Sequence, residues 1–416
     1  VWAALGGSAG GQECLSWQRR IDAPMSPRER HAMAYDLRRG VTVLFGGRYF
    51  SQPYGDTWEW DGDTWQQRDV VGPEARSEHA MVYDRGRGVT VLFGGTAPGV
   101  QSATANALVI FGDTWEWDGE KWVQRSNEGP EPRLRAAMAY DSRREVVVLF
   151  GGLGEFARLY GNTWEWDGHF WQLRSTEGPS NRAHASMAYD EDRGVTVLFG
   201  GGDHHGLTND TWEWNGSDWT RISAPSSPLP RTGHGQVYDR GRRVSVLFGG
   251  SVGVNEPRGD VWLWDGAGWA ASAIPAPSAR AGHGMVYDSR RGNIVVFGGD
   301  PGLLDTWEFL TCRGDADDDG VADGDDECPG TVLGDRVMVG DCDTGVADQV
   351  LGNGCTMTEL IASCKPEPRP RSRLLRCVIR LVRDWRREGI IHPSDGGKII
   401  RCAARRAHLR GGRARP

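Results

Sequence analysis

The sequence predicts an all-β fold, a six-bladed propeller of four-stranded sheets closed by the chain's own beginning, and three observations predict it. The tripeptide FGG stands at 45–47, 93–95, 150–152, 199–201, 248–250 and 297–299, at intervals of 48, 57, 49, 49 and 49 residues. A fixed period of that length marks a repeat architecture rather than one irregular domain. Each repeat carries four strand-like runs, and the stretch from Cys14 to Arg19, CLSWQR, reads as a fourth run with no first three before it.

The first complete unit shows why each run is a strand. His31, Met33 and Tyr35 alternate with small residues, VTVLF follows at 41–45, TWEW at 57–60, and the last run begins at Trp65. Each is β-branched or aromatic, and turn residues bound it. Asp36 to Gly40 makes a tight polar turn, and Asp61-Gly62 is a strong hairpin signal because both residues accept positive φ. A single four-stranded sheet cannot bury both faces, so neighbours must stack on it. A ring of sheets achieves this without long exposed edges.

This pattern resembles the kelch repeat, marked by a double glycine after the second strand and a spaced aromatic pair later. Here the marks are Gly46-Gly47 with Trp58 and Trp65, repeated down to Gly249-Gly250 with Trp262 and Trp269. The resemblance covers residues 15–310 and implies a galactose oxidase-like, six-bladed fold. It leaves function to the loops. The oxidases with this fold build a cofactor from a copper-bound Tyr joined to a Cys near the axis. No cysteine lies between 15 and 311 here, so that chemistry is excluded. A sugar mutarotase, the sialic-acid type among them, needs only positioned acid, base and Arg groups.

The last unit supplies three strands, at 283–288, 293–298 and 305–309, and lacks a second Trp, so the run from Cys14 is expected to complete it. Superposing the broken ends on the intact turn Asp61-Gly62-Asp63 brings Cys14 beside Cys312, which predicts a disulfide across the seam. Closing so long a loop stabilises by roughly 4–5 kcal/mol in the chain-entropy model.

The connections after FGG vary in length: 48–55, 96–112, 153–161, 202–209, 251–259 and 300–304. Variable loops on a rigid frame are where recognition is usually placed. An arginine recurs at that end in every unit: Arg28, Arg76, Arg133, Arg182, Arg231 and Arg280. One reading is a cationic mouth for an anionic ligand. The other pairs these arginines with backbone carbonyls or with Glu59, Glu116, Glu165, Glu213 and Glu308. His31, His79, His234 and His283 recur in register as inner-strand residues, and Ala136 and Ala185 replace them in two units. Tyr49, Tyr54 and Tyr160, with Phe50 and Phe156, are candidate aromatic platforms or loop anchors. His204 and His205 beside Asp203 form a local cluster for a ligand or a solvated turn.

Beyond Cys312 the composition changes. Residues 313–348 hold 12 Asp or Glu against 2 Arg. GDADDDGVADGDDECP is similar to the thrombospondin type 3 calcium repeat, and its spacing is that of a calcium loop. Asp315, Asp317, Asp319, the Val321 carbonyl, Asp323 and Asp326 are the candidate ligands, with Gly320 at the sharp turn. From 365 onward the charge reverses, with 16 Lys or Arg against 4 Asp or Glu. Two helical patterns follow, Leu374 to Trp385 and Ile399 to Ala403, predicting a hairpin stapled by Cys377 and Cys402. Cys328, Cys342, Cys355 and Cys364 supply other pairs. A basic tail is also compatible with anionic polymers, or with nothing beyond a coding preference for arginine.

The expected organisation is therefore a leader at 1–13, a propeller at 14–312, an acidic calcium-binding module at 313–364 and a basic helical hairpin at 365–416. Clustered cysteines point to an oxidising compartment, hence a secreted or cell-surface protein. No run of 18 apolar residues supports a membrane span. The expected role is a monomeric binding or interaction module for a glycan or protein ligand, with no nucleic-acid partner. The alternative is a carbohydrate-active enzyme on an anionic sugar.

Overall fold

The computed structural model describes residues 14–98, 108–312, 336–339, 342–349, 351, 355–364, 372–387 and 390–409. Two compact units divide it, one formed by residues 15–311 and the other containing the C-terminal segments. The leader and the whole calcium loop, from Asp315 to Asp326, lie outside the described residues.

The larger unit is a ring of six four-stranded antiparallel sheets. Blade one comprises Ala32–Asp36, Val41–Phe45, Thr57–Trp60 and Trp65–Arg68. Its second strand is buried along almost its whole length because neighbouring blades cover both faces, which explains the unbroken apolar run VTVLF. The inner turn closes on Asp36, whose Oδ1 accepts the N–H groups of Arg38 and Arg39 at 3.0 and 3.1 Å. The double glycine answers to close packing. Gly46 has φ +65°, and a Cβ there would lie 2.5 Å from the Arg76 carbonyl oxygen of the next blade.

Closure is as expected. The strand Cys14–Asp22 hydrogen-bonds beside Asp305–Cys312 and completes blade six. The Cys14 and Cys312 side chains lie outside what is described, so their disulfide stays an expectation.

Between blades the fourth-strand indole donates to a threonine of the preceding blade. The five bonds are Trp65 to Thr306, Trp122 to Thr57, Trp171 to Thr114, Trp219 to Thr163 and Trp269 to Thr211, all at 2.8–2.9 Å. At the sixth junction, between blades five and six, Val261 stands in the threonine's place and the buried Trp17 Nε1 has no partner. Leu263 likewise replaces the repeated Glu, and Phe309 replaces the Trp that donates to it at four other junctions. The junction that the N-terminal strand closes is thus held by apolar packing, with Trp17 5.0 Å from Phe309 and 5.4 Å from Phe248. Val261→Thr would give the orphan indole an acceptor. It is expected to add about 1 kcal/mol, a rise of about 2 °C in thermal melting. An unchanged or lower melting temperature would show that the seam gains nothing from a hydroxyl.

In the smaller unit three helices surround one core: α1 (Met357–Ser363), α2 (Ser372–Arg387) and α3 (Pro393–Leu409). Val337, Val339, Val346, Met357 and Ile361 pack with Val378, Val382, Trp385 and Ile399. The segments on either side of residue 365, expected as two modules, therefore share a single core. The helical hairpin is present, but its expected Cys377–Cys402 staple is not. Cys402 bonds Cys342, and Cys377 bonds Cys364. The reason is helical phase. Cys377 sits about 100° round α2 from the buried Val378, off the stripe of Val378, Val382 and Trp385 that enters the core. Cys355 is also disulfide-bonded.

Candidate functional site

Each blade enters its innermost strand through one residue placed two positions after the repeated arginine. These residues are Arg30, Glu78, Arg135, His184, Gly233 and Gly282, and all six have φ between +55° and +63°. Their backbones form a closed circuit. The N–H groups of Glu78, Arg135, His184, Gly233, Gly282 and Arg30 donate in turn to the carbonyls of Arg30, Glu78, Arg135, His184, Gly233 and Gly282. This ring of six hydrogen bonds, 2.6–3.4 Å long, encircles the propeller axis. The left-handed conformation costs energy at the four non-glycine positions, and such strain is commonly stored at functional sites.

The mouth above the ring is two-sided. Blades one to four project Arg30, Glu78, Arg135 and His184, whereas blades five and six have glycine and no side chain there. The cavity so formed measures about 420 Å³ and is also lined by Thr232, Ser251, Asn255 and Asp300. That volume lies within the range of small-ligand sites. Glu78 is almost fully buried and pairs with Arg30 and Arg135, with Arg48 3.5 Å away. Burial alone would raise its pKa, but the hydrogen bond and charge of Arg135, with Arg30, outweigh burial and hold it at about 2. His184 is pushed down to about 3, by burial first and by Arg135 second. Arg48 is engaged by Glu29 at 3.1 Å. Two half-buried guanidiniums flank one carboxylate, which leaves the mouth suited to an anionic group.

His31, His79, His234 and His283 line the same cavity, buried to within 6–7% exposure; their ring nitrogens make no hydrogen bond of good geometry, although the backbones of Phe297, Phe45 and Phe199 lie near enough to act on the first three. They occupy the four contiguous blades five, six, one and two. Ala136 and Ala185 fill the corresponding places beneath Arg135 and His184.

The six repeated arginines do not line this mouth, and the expectation of a cationic ring made of them is corrected. They are at most 2% exposed. In blade two, Arg76 donates from Nε to the Glu74 carbonyl, from Nη1 to the Gly94 carbonyl, and through a two-point pair to Asp113. Arg28, Arg182, Arg231 and Arg280 make the same pairs with Asp56, Asp210, Asp260 and Asp305. Arg133 faces Asn162 instead and takes Glu131 as its carboxylate. In five blades the partner is thus the Asp just before the third strand, not the Glu within it. Glu59, Glu116, Glu165, Glu213 and Glu308 pair with Arg39, Arg87, Arg144, Arg193 and Arg291.

The candidate aromatics divide. Tyr54 and the buried Tyr160 serve as anchors, with Arg28 and Arg133 stacked 4.5 and 4.0 Å over their rings, as Arg76 stacks on Phe111. Tyr49 is half-buried against Phe50. Phe50, Phe156 and Val254 stand out from the loop tips at 78%, 100% and 91% exposure. These loops belong to the same face as the mouth, since Arg48 pairs with Glu29, Leu153 with Leu134 and Ser251 with Thr232 in isolated bridges. His204 and His205 are exposed in a tight turn in which Asp203 accepts the His205 N–H at 2.7 Å.

Residues 88–299, half of the chain, match the family model described as the KLHDC2/KLHL20/DRC7 Kelch-repeats domain. The chain belongs to the kelch-repeat family. The structure of YjhT is similar to this kelch propeller, with a TM-score of 0.53 at 14% identity, covering 70% of this chain and 96% of that one. That likeness shows the fold alone. No curated protein matches the chain in sequence.

Sequence reasoning missed the ring residues, although a signal was present. In the kelch units the arginine column is constant and the column two places on is not, reading Arg, Glu, Arg, His, Gly, Gly. A column that varies inside an otherwise fixed repeat is where individuality is carried.

Proposed function

We propose that this kelch propeller is a binding module whose loop-bearing face takes a protein partner, with an anionic group of that partner seated against Arg30 and Arg135. The observation that carries the reading is the two-sided mouth: charged residues on blades one to four, open space over Gly233 and Gly282, and apolar tips at Phe50, Phe156 and Val254 around it. Glu78 stays ionised and His184 stays neutral at physiological pH, so neither is poised near neutrality for proton transfer, which favours holding over catalysis. A secreted or cell-surface setting is part of the proposal and draws on the disulfides of the smaller unit. So is calcium as the ligand of the spaced aspartates at 315–326.

The test is retention on a panel of acidic and neutral peptides and glycans, in calcium and in chelator. Arg135→Gln is expected to weaken binding of acidic members at least tenfold, measured well below its melting temperature, which falls because the buried Glu78 loses a counterion. Equal retention of acidic and neutral members, or no effect of the substitution, rejects the mouth as the site. An unchanged melting curve in chelator rejects calcium. A second reading, an enzyme acting on an anionic sugar, draws on the sugar-sized cavity and its buried histidines. The same panel tests it through a change in anomeric state or mass.

A further inference from the structure

Helix α2 of the smaller unit carries six arginines against one aspartate, and four of them fall on one line. At about 100° per residue, Arg376, Arg380, Arg383 and Arg387 lie within about 60° of one another, and their span is about 16 Å. Val378, Val382 and Trp385 lie on the opposite side and are at most 3% exposed. The stripe of Val378, Val382 and Trp385 is therefore occupied by the unit's core, and the face left to solvent is cationic, with Ile379, 42% exposed, at its edge. All four arginines are exposed; the side chains of Arg383 and Arg387 are 73% and 75% exposed. The one carboxylate on the helix, Asp384, lies 3.5 Å from Arg383 and 3.8 Å from Arg387. It offsets one charge of the line. The disulfide Cys364–Cys377 ties α2 to the end of α1, so the line is presented on a fixed helix.

We infer that this face of α2 binds a linear acidic polysaccharide, sulfated or uronate-bearing, laid along the arginine line. A row of guanidinium forks matches repeated planar or tetrahedral oxyanions strung on a chain. Three polyanions compete for such a row, and the structure separates them. A bilayer requires a broad apolar face beside the charges, and among the described side chains of α2 Ile379 alone offers apolar surface there, the Val378, Val382 and Trp385 stripe being in the core. Single-stranded nucleic acid requires an exposed aromatic for base stacking, and Trp385 is 3% exposed. The choice of polysaccharide rests on the oxidising, extracellular setting proposed above from the disulfides. The site is independent of the propeller mouth.

The experiment uses the full-length protein with heparin and polygalacturonate as probes. Neutral dextran, duplex DNA and anionic phospholipid vesicles serve as comparisons. Wild type is expected to bind both acidic polysaccharides and not dextran, with affinity falling steeply as salt rises. The triple variant Arg380→Gln, Arg383→Gln, Arg387→Gln is expected to bind at least tenfold more weakly, with a salt slope shallower by about two to three charges. If the triple variant melts early, single Arg383→Glu replaces it, with a threefold or greater loss expected. Unaltered binding by variants that keep the wild-type melting temperature overturns the inference. So does dextran binding equal to that of heparin, or tighter binding of DNA or vesicles than of either polysaccharide.

Discussion

Acidification from pH 7 to pH 5 is expected to remove about 8 kcal/mol of the propeller's stability, through histidines rather than carboxylates. His79, His234 and His283 are pushed to about 3, by burial first and next by Arg76, Arg231 and Arg280. His31 is also driven well below its ordinary value, by burial and then by Arg28. Asp113 and Asp260 act in the opposite sense on His79 and His234 but do not offset burial. In the unfolded chain these rings titrate near 6.5. A group whose folded pKa lies below its unfolded one contributes stability that is whole above pH 6.5 and lost as the pH falls toward 3. Each of the three then costs about 1.4 kcal/mol per pH unit, or about 2 kcal/mol at pH 5, and His184 at the mouth, also held at about 3, adds a like amount. Glu78 belongs to a separate window, because the stability it lends is present above pH 4.5 and lost toward pH 2. Denaturant midpoints at pH 7, 6 and 5 measure the effect. His234→Ala, which copies the natural Ala136 and Ala185, is expected to flatten the pH slope by about a third of the three-histidine total. A flat profile in wild type, or a slope indifferent to the substitution, would mean that these rings are not held neutral.

The second large effect is expected from Arg76→Met, which should cost about 3–5 kcal/mol, because it leaves Asp113 charged and half-enclosed with no counterion. It also strips the acceptor groups of Gly94 and Glu74 and uncovers Phe111, over which Arg76 stacks at 3.9 Å. Burial would raise the Asp113 pKa, but the hydrogen bonds and charge of Arg76 hold it below the usual carboxylate range. Asp113→Asn should be milder, about 1–2 kcal/mol, because in blade three Asn162 Oδ1 accepts from Arg133 at 2.8 Å while Glu131 supplies the carboxylate, and Glu74 stands at the same place before Arg76. Urea unfolding of both variants decides it. Equal costs would show that a neutral acceptor cannot stand in for the carboxylate, and a cost below 1 kcal/mol for Arg76→Met would remove the clamp as a source of stability.

The kelch fold was legible because each blade repeats the same local instructions. FGG marks where blades approach too closely for a Cβ, the Asp-Gly turns fix hairpins, and the missing strands at the two ends of the repeat array complement each other. The roles of the polar residues were less legible, because a repeated arginine looks the same whether it faces a ligand or a carboxylate. Arg28 and Arg30 are two residues apart. The first is sealed against Asp56 while the second stands at the mouth, and only the ring's left-handed backbone separates the two directions. The C-terminal cysteines were similarly underdetermined. The hairpin of α2 and α3 was readable from apolar spacing, but pairing depends on which side of the helix Cys377 faces.

The sequence by itself settled the number of blades, the order of strands, the closure by the residues from Cys14 and the membership of the kelch family, since these follow from periodicity and turn chemistry carried in each short segment. Only the tertiary structure decided which charges are buried as partners and which meet at the axis. Arg30, Glu78, Arg135 and His184 come from four blades separated by 48, 57 and 49 residues, and they become neighbours when ring closure brings equivalent positions together.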